Sequence, residues 1–454
     1  MARPRSGPAR PLLAAPLLAL ALTATGCGGD DAGAGAGGTV TVTVGYQSKT
    51  INTVTAGTLL RSLGYFEQEL AARGRKDGVH YKVVWQDYAT GAPITAQMTA
   101  GKIDIGSMGD FPLLINAARG KQLHRPTRLV SVTGYNLTGA LNTVLVPTGS
   151  DARTLADLKG KRISTSVGSA ADGTLVRALE RAGLDPAEDV SKLNQQPAVG
   201  ASALQAGSVD ALSQFVAWPG LLAFQGRAKA LYDGGELRLP TFHGVTVREE
   251  FAQRRPGLLE DFLRAQVKAT DHLRAHPVQD AEAVAKATGL PAEVVYLYNG
   301  AAGIATFDPA LRPELVAALK QDVPVLRSAK LVGDVDVDAF VDPAPLARAT
   351  AGRPAAAPSA AGPELWVRGE PKTRTYPSTS ALLAALAAVG PDRVRAAYVA
   401  DATTGTRWFA DRAVWVADGR TPVPFVTAAH AAAYVAAHPG ARTVDWDAVR
   451  RLAP

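Results

Sequence analysis

The run AGKIDIGSMGDFPLLINAARG, residues 100–120, is the unit from which the rest of the chain is read. Ile103-Asp104-Ile105-Gly106 is short and apolar, as a strand inside a sheet is. A loop of small residues follows, and Phe111 to Arg119 reads as a helix with Asp110 at its start and Pro112 in its first turn, as helix starts prefer. Strand, small-residue loop and helix in that order form the half-unit of an α/β fold, and loops of this kind are where ligands sit in open sheets.

The same rhythm continues on both sides. Thr39 to Val44 (TVTVTV) alternates at period two, and Thr58 to Arg73 places Leu59, Leu63, Phe66 and Leu70 on one helical face. Tyr81 to Gln86 reads as a strand, Thr90 to Ala100 as a short helix, and Leu129 to Thr133 and Asn142 to Val146 as further strands. Arg162 to Ser166 then leads through Gly168 into a helix over Thr174 to Ala182, ended by Gly183. Gly257 to Ala275 and Ala310 to Lys320 read as helices that close the body. The alternation predicts mainly parallel sheets covered by helices.

Four loops fall after strands, where backbone amides at helix starts can face a crevice. Gln47, Ser48 and Lys49 follow the first strand, and Lys49 is the only cation in these loops. Ser107, Gly109, Asp110 and Phe111 lie in the loop opened above; Ser166, Gly168 and Ser169 begin the second half; Gln214 and Trp218 lie in the fourth loop. Tyr135 precedes a crossover. Small residues let amides approach an anion, and Ser, Gln and Lys side chains complete its hydrogen bonds. Asp110 has two readings, a helix N-cap or a carboxylate facing the amine of a bound solute. Trp218 also has two, a lid over the apolar part of a solute or packing between lobe and hinge.

Residues 100–120 together with VGYQ (Val44 to Gln47) resemble the periplasmic binding proteins for aliphatic sulfonates, taurine and nitrate, in which a G-x-I-D-x-G-x-x-G-D-x-P run lines the cleft. TLADLKG (Thr154 to Gly160), ISTSVGS and LQAGSVDAL (Leu204 to Leu212) agree with it, and the resemblance spans roughly Val40 to Val341. It implies a two-lobed type II periplasmic-binding-protein fold, a Venus-flytrap, over residues 39–341. Lobe 1 is expected over about 39–135 and 245–341, and lobe 2 over about 136–244. It also implies a small anionic solute, an ABC permease with its ATPase as partners, no cofactor and no catalysis. The chain departs from the family at Ala217-Trp218-Pro219, where a Trp-Asp-Pro-like turn is usual. The same fold also serves enzymes and sensors of the thiamine-precursor type, which is the alternative reading.

Location is read from the first residues. Arg3, Arg5 and Arg10 precede an apolar run from Leu12 to Ala24 that ends in Leu22-Thr23-Ala24-Thr25-Gly26-Cys27. The run is too short to cross a hydrocarbon core, which needs about 20 apolar residues, so it reads as an export signal over residues 1–27. The ending resembles a bacterial lipobox, which implies lipidation at Cys27, the only cysteine of the 454 residues. GGDDAGAGAGG, residues 28–38, is then a flexible tether, and the protein is expected outside the cell membrane, held to its outer face. A lone cysteine allows no internal disulfide. The formal net charge of +7 includes the leader arginines, and no basic cluster is interleaved with aromatics, so nucleic acid is not expected as a partner. The chain is expected to act as a monomer. The seven histidines show no metal-ligand spacing, and no nucleophile elbow or phosphate-binding loop occurs, so an enzyme is not expected.

Residues 342–363, rich in Ala and Pro, read as a semi-extended linker before a C-terminal α+β domain over 364–454. There Arg395 to Asp401 and two runs in Trp408 to Gly419 are strand-like, and Thr427 caps a helix carrying Ala431, Tyr434, Val435 and His438 on one face. The order of Tyr398, Asp401, Trp408, Trp415, Pro422 and Phe425 resembles the nitrous-oxide-reductase accessory lipoproteins (NosL-like), which handle copper. That resemblance makes metal handling through this domain a further alternative. The domain holds no Met or Cys to favour copper(I), and its P-M-G run is replaced by Pro422-Val423-Pro424, so no metal site is expected.

Overall fold

The computed structural model describes residues 38–351 and 362–452; Cys27 and the tether as far as Gly37 lie outside them. The body is built on strands β1 (Thr39–Tyr46), β2 (His80–Asp87), β3 (Ile105–Gly109), β4 (Thr127–Asn136), β5 (Asn142–Pro147) and β6 (Arg162–Thr165). They are followed by β7 (Ser191–Asn194), β8 (Ala211–Phe215), β9 (Ala228–Asp233), β10 (Thr241–Arg248) and β11 (Thr306–Phe307). One sheet has the order β11-β4-β10-β3-β1-β2 and the other β7-β6-β8-β5-β9, so each lobe has its own sheet.

The expectation of mainly parallel sheets is corrected. β1 pairs in parallel with β2 and β3, and β6 with β7 and β8. β10, however, returns from the second lobe and inserts antiparallel between β3 and β4, while β5 runs antiparallel to β8 and β9. A strand that crosses between lobes enters its sheet from the opposite end, so crossovers oblige antiparallel neighbours.

Alternation on β1 sends Val40, Val42 and Val44 into a core with Phe66, Leu70, Phe262 and Leu263. The other face of this sheet is covered by Ile94, Met98, Phe111, Leu113 and Leu319. The expected helix from Thr58 to Arg73 is two helices, Thr58–Leu63 and Tyr65–Asp77, because Gly64 sits at φ 65° and breaks the ladder between them.

Two crossovers join the lobes, between β4 and β5 and between β9 and β10. Asn136 organises the first, its Oδ1 accepting from the amides of Thr138, Gly139 and Ala140. The crossovers touch at Gly139 (φ 102°), where a side-chain carbon would stand 2.7 Å from the Gly234 carbonyl oxygen. Only glycine fits there.

The first part of the expected linker is helical instead. Ala344–Ala349 forms a helix whose Leu346 is buried against the long helix Pro256–Ala275, so the body runs past Val341. Beyond residue 361, β12 (Glu364–Val367), β13 (Arg374–Thr375), β14 (Val394–Ala400) and β15 (Arg407–Phe409) make one small sheet. β16 (Val414–Asp418), β17 (Thr421–Phe425) and β18 (Arg442–Val444) make another. Thr427 caps the helix Ala428–Ala437, accepting from the His430 amide.

Candidate ligand cleft between the lobes

A cavity of about 270 Å³ lies between the two lobes. The starts of four helices contribute to its wall: Thr90 and Gly91 of Gly91–Thr99, Gly109 before Asp110–Gln122, Ser169 before Ala170–Arg181, and Gln196 before Pro197–Gln205. A helix start carries partial positive charge and unsatisfied N–H groups. Three of these starts, at Thr90, Gly109 and Gln196, have no side-chain N-cap, although Asp110 Oδ1 takes the Phe111 amide of the second and Pro93, Pro112 and Pro197 carry no N–H. The remaining wall includes Ala92, Pro93, Pro112, Ile115, Val167 and Phe215, and among the described residues no Lys, Arg, Asp or Glu lines the cavity.

Of the residues singled out from sequence, the structure brings Gln47, Gly109, Ser166, Gly168 and Ser169 to this wall. Gln47 is buried, and its amide is held only by long bonds, Nε2 donating to the Ser107 carbonyl at 3.3 Å and Oε1 accepting from Thr50 at 3.4 Å. Ser166 Oγ donates to the Gln195 carbonyl at 2.9 Å.

The others stand elsewhere. Ser48 is tied to Asp87, through its amide at 2.8 Å and its hydroxyl at 2.6 Å. Lys49 is exposed to solvent. Ser107 and Gln214 are fully buried behind the wall, Gln214 donating to Ser166 Oγ at 3.3 Å. Trp218 opens the helix Trp218–Phe224 and packs against the apolar core beneath it. Tyr135 is buried in β4 with the Arg312 guanidinium 5.7 Å above its ring.

Asp110 is not the helix N-cap, and it is not among the residues of the cavity wall. Gly109 occupies the N-cap position, and Asp110 is the first helical residue. One carboxylate oxygen accepts from the Phe111 amide at 2.8 Å, and the other from Thr241 Oγ1 at 2.7 Å and the Phe242 amide at 3.2 Å. Burial raises its pKa, against the pull of those three donors. The side chain thus fastens the helix to β10.

Sequence reasoning missed His243. It lines the cavity from β10, wholly buried, and burial pushes its pKa down to about 3. Its Nδ1 lies 2.8 Å from the Asn52 side-chain nitrogen, which also donates to the Gly134 carbonyl at 3.1 Å. An amide nitrogen only donates, so Nδ1 accepts and Nε2 carries the proton. Nε2 stands 3.2 Å from where a side-chain carbon on Gly109 would be, which puts a neutral N–H donor beside the cavity. Asn194, Gln195 and Gln196, also on the wall, lie in a loop without a distinctive motif.

The lobes meet around this cavity. The Phe111 ring lies on Gly173, where any side chain would collide with it, and Ile115 and Leu331 close on Gly168 at φ 79°. Arg177 of the second lobe donates to Asp322 Oδ1 at 2.7 Å and to the Gln321 carbonyl at 2.6 Å, with its guanidinium 5.7 Å over the Phe111 ring. This is a closed arrangement.

Among proteins of known kind, residues 78–280 match the family described as NMT1/THI5 like. The taurine-binding periplasmic protein of Escherichia coli (strain K12) is 26% identical over 237 residues, covering 52% of this chain and 70% of that protein. The alkanesulfonate-binding protein of Xanthomonas axonopodis pv. citri, solved bound to MOPS, superposes with a TM-score of 0.56 at 25% identity, covering 66% of this chain and 98% of that one. The periplasmic aliphatic sulphonate binding protein of Escherichia coli superposes at 0.54 with 26% identity, over 66% of this chain and 96% of that one. The body therefore has the two-lobed fold of these binding proteins, and residues 78–280 carry its similarity to the NMT1/THI5-like family.

Proposed function

We propose that this chain is an extracytoplasmic receptor for a small organic sulfonate, which it delivers to an ABC importer. The observation that carries the reading is the cavity wall: four helix starts and the neutral donors Gln47 and His243, with no charged side chain among the described residues. Such a wall suits a compact anion, because N–H groups replace its water without bringing a counter-charge that would hold it too tightly to release. The apolar remainder, with Ile115, Val167 and Phe215, suits an alkyl tail. An amine on that tail, as in taurine, finds no carboxylate on the wall, and a bare nitrate leaves the apolar part unfilled. An alkanesulfonate without an amine is therefore the preferred solute.

Closure over the solute is a ligand-driven population shift, and the importer's ATPase supplies the energy. The sulfonate- and taurine-binding relatives support this reading. The lipobox-like ending supports anchorage at Cys27 to the outer face of the cell membrane, with the receptor acting as a monomer on its tether. Palmitate labelling should mark the wild type and not Cys27→Ser. A thermal-shift screen tests the solute: an alkanesulfonate at 100-fold its Kd should add ~2.7 kcal/mol of stability. A shift with cationic or neutral solutes and none with any sulfonate overturns the assignment.

A further inference from the structure

We infer that the C-terminal domain is a brace built across the hinge, which holds the two lobes in their closed relation. The domain grips both lobes. On the side of the first lobe it packs on the helices Pro277–Thr288 and Ala292–Asn299, the second of which is fixed there by Asn299 donating to the Ile51 carbonyl at 2.8 Å. Tyr296 of that helix lies between Trp366 and Tyr398, with ring centroids at 5.2 and 5.5 Å, and its hydroxyl bonds Glu364 and Thr373. Tyr398 donates to the Glu293 carbonyl at 2.9 Å, and Arg395 pairs with Glu282 at 2.5 Å and Glu293 at 2.7 Å.

On the side of the second lobe the same small sheet continues the contact. Tyr398 packs on Phe409 at 5.7 Å, and Phe409 packs on Phe224 at 5.4 Å. A line of aromatic rings therefore runs from one lobe, through the domain, to the other. These rings belong to a single apolar cluster with Leu145, Leu212 and Leu222 of the second lobe. The domain shares that core with the body.

The third grip is on the hinge itself. Asp233 ends β9 where the second crossover begins, is wholly buried, and accepts from Thr404 Oγ1 at 2.7 Å. A side chain on Gly235 would meet Thr406 at 2.9 Å. Three residues on, Glu236 pairs with His430 at 3.1 Å, and His430 is held from behind by Asp401 at 3.2 Å. Opening the cleft requires the crossovers to change their backbone angles. Here one crossover is bonded on its outer side to a domain that also holds both lobes. Opening therefore breaks these bonds or drags the domain, and either raises the free energy of the open state.

The inference rests on the reading of the body as a two-lobed receptor, and the test separates the two. Spin labels are placed at Lys102→Cys in the first lobe and Val199→Cys in the second, both exposed, in a mature chain carrying Cys27→Ser. Distances between them are measured by pulsed electron resonance without solute, and ethanesulfonate affinity by calorimetry. The parent should give a distribution dominated by the shorter, closed distance, which added solute narrows further. Thr404→Val combined with Glu236→Gln should add a second, longer population and raise the Kd about fivefold or more, since apparent affinity scales with the competent fraction. If that double variant fails to fold, Glu236→Gln alone, which leaves the His430–Asp401 pair in place, should show the same change at smaller size. A folded variant whose distances and affinity match the parent overturns the brace. If no variant and no parent binds ethanesulfonate while the distances still respond, the solute assignment falls and the brace stands.

Discussion

His243 is the residue whose chemistry the proposed site most depends on, because it is kept neutral by burial beside the cavity proposed to hold an anion. Its folded pKa, pushed down to about 3, lies below the ordinary value of 6.5. Its contribution to stability is therefore present above pH 6.5 and is lost as pH falls from there towards 3. Melting measured by calorimetry from pH 7 to pH 4 should fall more for the wild type than for His243→Gln, which carries no titrating ring. Gln47 is the second donor, and Gln47→Ala should weaken ethanesulfonate binding about twofold to tenfold, the worth of one neutral hydrogen bond, with melting nearly unchanged. Calorimetric titration that finds equal affinities would remove Gln47 from the site. Gln47 was legible in the sequence because it follows a recognisable first strand. His243 was not: TFHGVTVR reads as plain strand, and the Asn52 that fixes its tautomer is 191 positions away.

At the scale of elements, the helix Ala170–Arg181 does two things, presenting its start to the cavity and reaching the other lobe through Arg177. Asp322, which receives Arg177, is buried, and burial raises its pKa, with the nearby Asp110 adding to the rise and Arg177 opposing it. Arg177→Ala should weaken ethanesulfonate binding about tenfold, equivalent to about 1.4 kcal/mol, although the side chain does not line the cavity. Unchanged affinity would mean that the lobes close without this pair. Periodicity showed the strand and helix order well, since buried alternation on β1 and the small-residue loops are local signals. The direction of β10 was hidden, because it follows from how the chain crosses between lobes. The break at Gly64 was passed over because the apolar face continues across it from Leu59 to Leu70.

For the whole molecule, the sequence divides the chain at an Ala/Pro-rich stretch and suggests a separate domain beyond it. Nothing local announces that Trp366, Tyr398 and Phe409 complete a core begun by Tyr296 and Phe224. The two histidines of the C-terminal helix do not converge: His430 turns to Asp401 and Glu236, while His438 stacks on Tyr434 at 3.7 Å. Burial alone would lower the pKa of His430, but hydrogen bonds and charge from Asp401 and Glu236 outweigh it and raise it to about 10. Its ordinary value is 6.5, so the stability it contributes is fully present below pH 6.5 and is lost as pH rises through about 10. Melting should therefore decline between pH 7 and pH 10 more steeply in the wild type than in His430→Gln. Parallel slopes would show that the pair does not hold the domain to the crossover.

We propose that the starts of four helices bind the sulfonate group between the lobes. A crystal structure with 2-bromoethanesulfonate, read by the anomalous scattering of bromine, tests it most directly. The sulfonate oxygens should lie against the amides near Gly91, Gly109, Ser169 and Gln196, and the bromine towards Ile115 and Phe215. Bromine found elsewhere with this cavity empty, or a sulfonate turned to the apolar wall, would contradict it.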